Sequence, residues 1–408
     1  MKSINKLKII NDPVYGFITI PSTLIFQLIE HPYFQRLRRI SQMGMSYLVY
    51  PGAHHTRFHH ALGAMFLMQR AVQVLKFKQV TFSEDEEEAL YIAILLHDIG
   101  HGPFSHALEQ TLIENVDHEQ LSLLFMQHLN EEFDGQLNLA MKIFKNEYDR
   151  KFMHQLVSGQ LDMDRLDYLR RDSFYTGVSE GIINSQRVIA MLNVNNDELV
   201  VEEKGIYSVE KFIIARRLMY WQVYLHKTSL VAEQLLLRVL KRARRLAKDG
   251  ANLDASDSLS FFLKHPIKTN NLTEALLHQF STLDDYDIIS ALKQWSTSED
   301  FVLSQLSEKL LNRDLLAIKM SPKPFSEEKI QEKLNAVMKQ HNLSPNEASY
   351  FVFEGSISNQ AYSMEKDTIN LIKANGKIVD VAKASDQLNI EALSKTVVKY
   401  YLCYPKSH

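Results

Sequence analysis

Cysteine is almost absent: Cys403 is the one thiol in 408 residues. No intramolecular disulfide can form, so the fold must rest on its core, and a reducing compartment fits. Glycine and proline are also scarce, at 14 and 10. So few turn-formers argue for many helices and few strands. Neither sign of charge dominates, since 46 Lys and Arg against 49 Asp and Glu give a formal net charge of −3. That balance speaks against a surface given over to nucleic acid, although it does not exclude a local basic patch. Long apolar runs are missing. The longest, Ala89 to Leu96, falls well short of the roughly 20 residues that span a bilayer. Met1 to Lys6 carries charge without the apolar segment of a signal peptide. These absences point to a soluble, cytoplasmic protein with no membrane partner.

What is present is ordinary globular composition, 45% hydrophobic and 23% charged. Helical spacing is visible over Ser22–Ile29, at Phe34, Leu37 and Ile40, and over His59–Leu75, Glu84–Leu96, His118–Leu129 and Lys151–Ser158. Val209 to Leu246 reads as one long helix or two. Glu198 to Ser208 reads as a β-hairpin turning at Lys204-Gly205. Composition shifts near Lys248, which suggests a first unit over 1–250 and a second over 251–408. In the second, helices run to about Leu315, and strand-like runs follow at Ser349–Phe353, Asn370–Lys373, Lys377–Val381 and Val397–Cys403. The expected fold is mainly α, with a small hairpin insertion and a smaller α+β C-terminal region.

Histidine is unevenly spread, with 11 of the 16 lying before position 155. Imidazole is the commonest metal ligand and the usual proton carrier near neutral pH. The key segment runs His97-Asp98-Ile-Gly-His101-Gly-Pro-Phe-Ser-His106-Ala-Leu-Glu109, directly after an apolar helix. Two polar side chains at such a helix end are costly to bury unless paired or coordinated. Alone, the dipeptide reads as a buried His–Asp hydrogen bond. A metal touching both would sit at the helix edge and need ligands from elsewhere, and His60 and Asp164 are the candidates. Two His and two carboxylates suit Mn, Fe, Zn or Mg with positions left for water and a phosphate oxygen.

The pattern His60, His97-Asp98, Asp164 resembles that of the HD-domain metal-dependent phosphohydrolases. The run from His97 through His106 to Glu109 is similar to the deoxynucleoside triphosphate triphosphohydrolases among them, as are Ile10–Gly16, Phe34–Arg38, Gln42–Gly44, Arg57-Phe58, His118–Gln120, Asp162–Tyr168 and Arg171-Asp172. This resemblance implies an HD-domain helical core and one divalent ion on His60, His97, Asp98 and Asp164, with a second ion, Mg, arriving with the nucleotide. It implies proton handling by His106, His118 and Glu109, with His101 lining the phosphate site. Arg57, Arg165 and Arg216 would meet phosphate. Gln42, Tyr168, Asp172, Tyr220 and Tyr224 would meet sugar and base. Lys8, Glu30, Gln35 and Arg38 match positions of an activating-nucleotide site. The substrate would be a dNTP, cleaved to deoxynucleoside and triphosphate by a homo-oligomer, dimer or tetramer. Hydrolysis of another nucleotide phosphoester, or nucleotide or nucleic-acid binding by an inactive site, are the alternatives. The basic run Arg238 to Lys248, interrupted by Leu240 and Leu246, reads as the solvated face of an amphipathic helix.

Overall fold

The computed structural model describes residues 8–104, 111, 113–114, 117–265, 267–268, 273–365, 367–385 and 393–406. It is mainly α-helical with small sheets of few strands, as the turn-poor composition predicts. The longer helices of the first part are α1 (Thr23–Glu30), α2 (Arg57–Phe77), α3 (Glu84–Leu96), α4 (His118–Glu132) and α5 (Met163–Thr176). α2 is central and packs against both α3 and α5.

α3 shows why the chain folds this way. Ser83 and Glu86 close a capping box at its start, and four acidic residues fill the first turn, where the helix dipole favours them. From Ala89 to Leu96 every residue is buried, so its second half is apolar all round, as a core helix must be. The close approach of α5 to α2 depends on Gly63. A Cβ there would come within 2.1 Å of Asp167 Oδ1 and Arg171 Nη2. Glycine inside a helix costs roughly 1 kcal/mol, and here its bare backbone makes room for a buried ion pair.

The hairpin is present but displaced from its expected place. β3 (Leu192–Asn195) pairs with β4 (Glu198–Glu202) around Asn196-Asp197, following an earlier hairpin of β1 (Ile9–Asp12) and β2 (Gly16–Thr19). Asn196 and Asp197 both take positive φ, 51° and 58°, the conformation of a two-residue hairpin turn that Asn and Asp tolerate. Lys204-Gly205 is instead a 3₁₀ turn leading into α6 (Ile206–Met219). The stretch expected as one helix or two is α6, a π-helical turn at Tyr220–Tyr224, and α7 (Lys227–Lys248).

Beyond α7 come α8 (Asp285–Trp295), α9 (Phe301–Leu311) and α10 (Glu327–His341). A three-stranded antiparallel sheet has β9 (Val397–Tyr404) between β5 (Ala317–Ser321) and β6 (Phe353–Asn359). β6 starts where the expected strand Ser349–Phe353 was to end. Ser344, Pro345 and Glu347 form a capped helical turn that carries the chain to Phe353 before it extends. Two further strands, β7 (Asn370–Ile372) and β8 (Ile378–Asp380), extend the β3–β4 hairpin into a four-stranded sheet, with β7 parallel to β4. The basic end of α7 is largely spent on packing. Arg238 lies 3.2 Å over the Phe353 ring, Arg242 bonds Asp300, and Arg245 bonds Asn346. Among the described residues no helix is long and apolar enough to cross a membrane.

Candidate metal centre

Three helix ends meet at the site. His60 lies in the first turns of α2, whose start is fixed by Thr56 and His59. His97 is the C-cap of α3, so His97-Asp98 sits where that helix unwinds. Asp164 is in the first turn of α5, capped by Asp162, which accepts from the Arg165 amide at 2.7 Å.

Each imidazole is oriented from behind. His60 Nδ1 lies 2.7 Å from Asp167 Oδ2, and Asp167 receives both Nε and Nη2 of Arg171 at 2.9 and 3.0 Å. Arg171 Nη1 then reaches Asp12 at 2.7 Å. His97 Nδ1 donates to the Ile94 carbonyl at 2.6 Å. With Nδ1 so engaged, both rings turn Nε2 into the site, the nitrogen that a metal ion would take. His60 Nε2 is 3.0 Å and His97 Nε2 3.5 Å from Asp164 Oδ1, yet neither nitrogen finds a hydrogen-bond partner. Ligand atoms of His60, His97 and Asp164 lie within 4.8 Å of one another. Lone pairs facing lone pairs at this distance need a positive charge between them. The donor set fits a divalent ion bound by nitrogen and oxygen.

The electrostatics agree. Burial alone would lower the His60 pKa, but the Asp164 and Asp167 carboxylates on either side of the ring outweigh it and push it up to about 10, so Nε2 draws a positive charge, a proton or a metal ion, to the point where it faces Asp164. Burial opposes ionisation of Asp164, but the His60 and His97 rings hold its carboxyl well below the usual range. The cluster holds its negative charge and draws a counter-charge to itself. Asp98 borders the same point, with Oδ1 3.4 Å from His97 Nε2 and Oδ2 3.7 Å from His60 Nε2. Its Oδ2 also receives Arg57. Asp98 further groups with His101, 3.3 Å from its Oδ1, and with His118, which stacks on His101 with ring centres 3.9 Å apart. His106 and Glu109 lie outside the described residues.

Several of the residues expected to bind substrate adjoin this cluster or one another. Tyr168 lies against the His60 ring with centroids 6.5 Å apart, and Tyr224 bridges Tyr168 and Tyr220 at 6.0 and 5.1 Å. Arg216 stacks over Tyr220 at 5.8 Å and reaches the Ala361 carbonyl at 3.4 Å. Arg165 packs near Asp162, Tyr168 and Asp164. Gln42 Oε1, Arg165 Nη1 and Arg216 Nε are buried without hydrogen-bond partners. Asp172 has both oxygens engaged, by His55 Nε2 at 2.7 Å and Tyr224 OH at 2.8 Å. The activating-site positions are joined in part. Gln35 bonds the Ile29 carbonyl at 2.7 Å and receives Arg38 at 2.8 Å, Lys8 covers the Phe26 ring, and Glu30 is exposed. Sequence reasoning found Asp12, Asp167 and Arg171 only as parts of matching motifs and gave neither them nor His55 a role. The available signal was the i, i+4 spacing of Asp167 and Arg171 on a helix that begins with a ligand.

Comparison with known proteins bears on the family. A family model described as the HD domain matches residues 57–172, and one described as the HD associated region matches 183–264. The uncharacterised protein YwfO of Bacillus subtilis is 32% identical, covering 98% of this chain and 92% of that protein. The crystal structure of a phosphohydrolase from Bacteroides thetaiotaomicron superposes with a TM-score of 0.95 at 53% identity, over 98% of this chain and all of that one. The deoxynucleoside triphosphate triphosphohydrolase SAMHD1 homologue of Dictyostelium discoideum is 28% identical over 70% of this chain and 57% of its own length.

Proposed function

This chain belongs to the HD-domain phosphohydrolase family, and we propose that within it the protein hydrolyses a deoxynucleoside triphosphate to deoxynucleoside and triphosphate. The observation that carries this is the pairing of two opposed surfaces. One is the convergence of His60, His97 and Asp164 lone pairs. The other is the adjoining wall of Arg165, Arg216 and three tyrosines, whose Arg165 Nη1 and Arg216 Nε are buried without partners. An ion held by His60, His97, Asp164 and the bordering Asp98 would supply Lewis acidity, drawing off phosphate charge and acidifying water.

The remaining work falls to side chains. Arg165 and Arg216 place fork-shaped donors on phosphate oxygens and hold the chain of phosphates in line. Tyr168, Tyr220 and Tyr224 provide apolar faces with polar tips. A tyrosine against the sugar C2′ leaves no space for a 2′-hydroxyl and so favours deoxyribose. Gln42 Oε1 accepts from a sugar hydroxyl. A histidine protonates the departing 5′ oxygen. His118, stacked on His101, or His106 would serve in this role. Lys8, Glu30, Gln35 and Arg38 would take an activating nucleotide, and the working form would be a homo-oligomer in the cytoplasm.

The test is to incubate the protein plus Mn or Fe with each dNTP, alone and then with GTP or a second dNTP, and to resolve products by ion-exchange chromatography. Deoxynucleoside with inorganic triphosphate supports the reading. Orthophosphate as the only inorganic product would replace it with another phosphoester activity.

A further inference from the structure

The loop that follows His97-Asp98 is held by residues outside the metal cluster. Arg36, fully buried, donates to three backbone carbonyls: Ile99 at 3.1 Å, His101 at 2.5 Å and Leu283 at 3.3 Å. Its guanidinium also lies over the rings of Phe280 and Phe125, at 4.8 and 5.6 Å. Immediately after Leu283, Asp284 receives Arg39. Asp285, 7% exposed, accepts from two amides, Ser41 through Oδ2 and Phe104 through Oδ1, each at 2.8 Å. Phe104 has φ of 49°, a conformation that costs a bulky residue about 1–3 kcal/mol and persists only where its surroundings impose it. Three consecutive residues of the downstream helical part thus fasten both the loop Ile99–Phe104 and the segment that leads to Gln42.

We propose that Arg36 and the Leu283–Asp285 corner form a clasp that sets the His101 ring against Asp98 and His118, and that Arg36 and Asp285 are positioning residues for the reaction. Neither side chain bonds a residue of the His60–His97–Asp164 cluster. Arg36 satisfies loop carbonyls, and Asp285 satisfies the amide of a residue held in a strained conformation. Loss of either lets the loop relax and swings His101 away from Asp98 Oδ1, now 3.3 Å distant. The downstream part is therefore a component of the site and not an appendage. The kinetic arm of the test rests on the phosphohydrolase reading; the spectroscopic arm does not.

Asp285→Asn keeps the shape but sets an amide donor against one backbone N–H. Arg36→Lys keeps the charge but cannot span three carbonyls. Each is expected to lower kcat about 10- to 100-fold, the scale of a small misplacement of a reacting group. KM and metal content per chain should stay near the parent values. Histidine-labelled protein should show the His101 ring resonance, assigned by its loss in His101→Gln, displaced from its parent position in both variants. Asp300→Asn serves as the control, because Asp300 ties the downstream part to α7 through Arg242 without touching the loop. It should lower the melting temperature and leave kcat and the His101 resonance alone. If Asp285→Asn and Arg36→Lys do not fold, Arg39→Ala, at a half-exposed side chain, decides by the same two readouts with smaller shifts. A folded variant with parental kcat and an unmoved His101 resonance overturns the proposal. If the parent hydrolyses no nucleotide, the function reading fails by itself and the resonance alone decides the clasp.

Discussion

The two walls of the site differ in what they lack. On the ligand side, each group has its far end tied down: His60 by Asp167, Arg171 and Asp12, and His97 by the Ile94 carbonyl. Only lone pairs are left over. On the tyrosine side, the leftovers include Arg165 Nη1 and Arg216 Nε, which are donors, and Gln42 Oε1 is a further buried acceptor without a partner. The first surface has the chemistry to hold a cation, and its rings are oriented by bonds that do not involve the ion. On the proposed reading the second would take an anion with hydroxyl groups, and its unpartnered polar atoms would complete their bonding when that ligand arrives. An unmade hydrogen bond of a buried group costs about 1–3 kcal/mol, so the second wall stores part of the free energy that binding later recovers. The proposed function thus assigns holding the ion and choosing the substrate to different walls.

The most severe way to break the first wall is Asp164→Ala, which removes the carboxylate oxygen shared by His60 and His97. Bound metal, measured by elemental analysis, and turnover should vanish together. The drop in turnover should exceed the roughly 100-fold that loss of an outer partner brings. Full activity in this variant would end the assignment of the centre. A milder cut on the same side is Asp167→Asn. The His60 ring keeps an acceptor, but the charge behind it is gone, and metal affinity by titration should fall about 10- to 100-fold. The second wall should be unmoved: KM for nucleotide at saturating metal should stay near the parent value.

The converse cut sharpens the same separation. Arg216→Ala or Arg165→Ala removes donors to phosphate, and charge-assisted hydrogen bonds of about 1.5–3 kcal/mol predict a KM rise of roughly 10- to 100-fold. Metal content per chain should be unchanged in both. If either variant lost its metal, the two walls would be one unit and their separation would fail.

That division also explains what could be read from the sequence. His60, His97-Asp98 and Asp164 were legible because ligation demands rare residue types, and a His-Asp pair after eight apolar residues is conspicuous. Asp167 was not legible, although it lies three residues from Asp164, because its role depends on which face of α5 meets α2, and Gly63 settles that. Asp12 comes from a hairpin more than 150 residues away, and no local pattern joins it to Arg171. In the fold, α2 and α3 were readable as long periodic or apolar segments. The hairpin slipped because Lys204-Gly205 looks like a turn, whereas Asn196-Asp197, with no glycine, makes the turn through two positive φ angles. The clasp at Leu283–Asp285 was invisible for the same reason as Asp12: its partners, Arg36, Ser41 and Phe104, come from distant stretches of chain.

The smallest expected effect tests where the second wall ends. Asp172 was expected to meet the sugar, yet it is 2% exposed with one oxygen on His55 and the other on Tyr224. Burial, together with the nearby Asp172 charge, keeps the Tyr224 hydroxyl protonated far above its ordinary range. The phenol therefore donates to Asp172 throughout the working pH range. Tyr224→Phe deletes that donor and keeps the ring against Tyr168 and Tyr220. A single hydrogen bond is worth about 1 kcal/mol, or roughly fivefold in kcat/KM. If Asp172 serves the sugar through Tyr224, the loss should appear with a deoxynucleotide and disappear with a 2′,3′-dideoxynucleotide, which lacks the 3′-hydroxyl. An equal loss with both would instead make the Tyr224–Asp172–His55 chain a brace for the tyrosine faces, and the anion-binding wall would end at Tyr168.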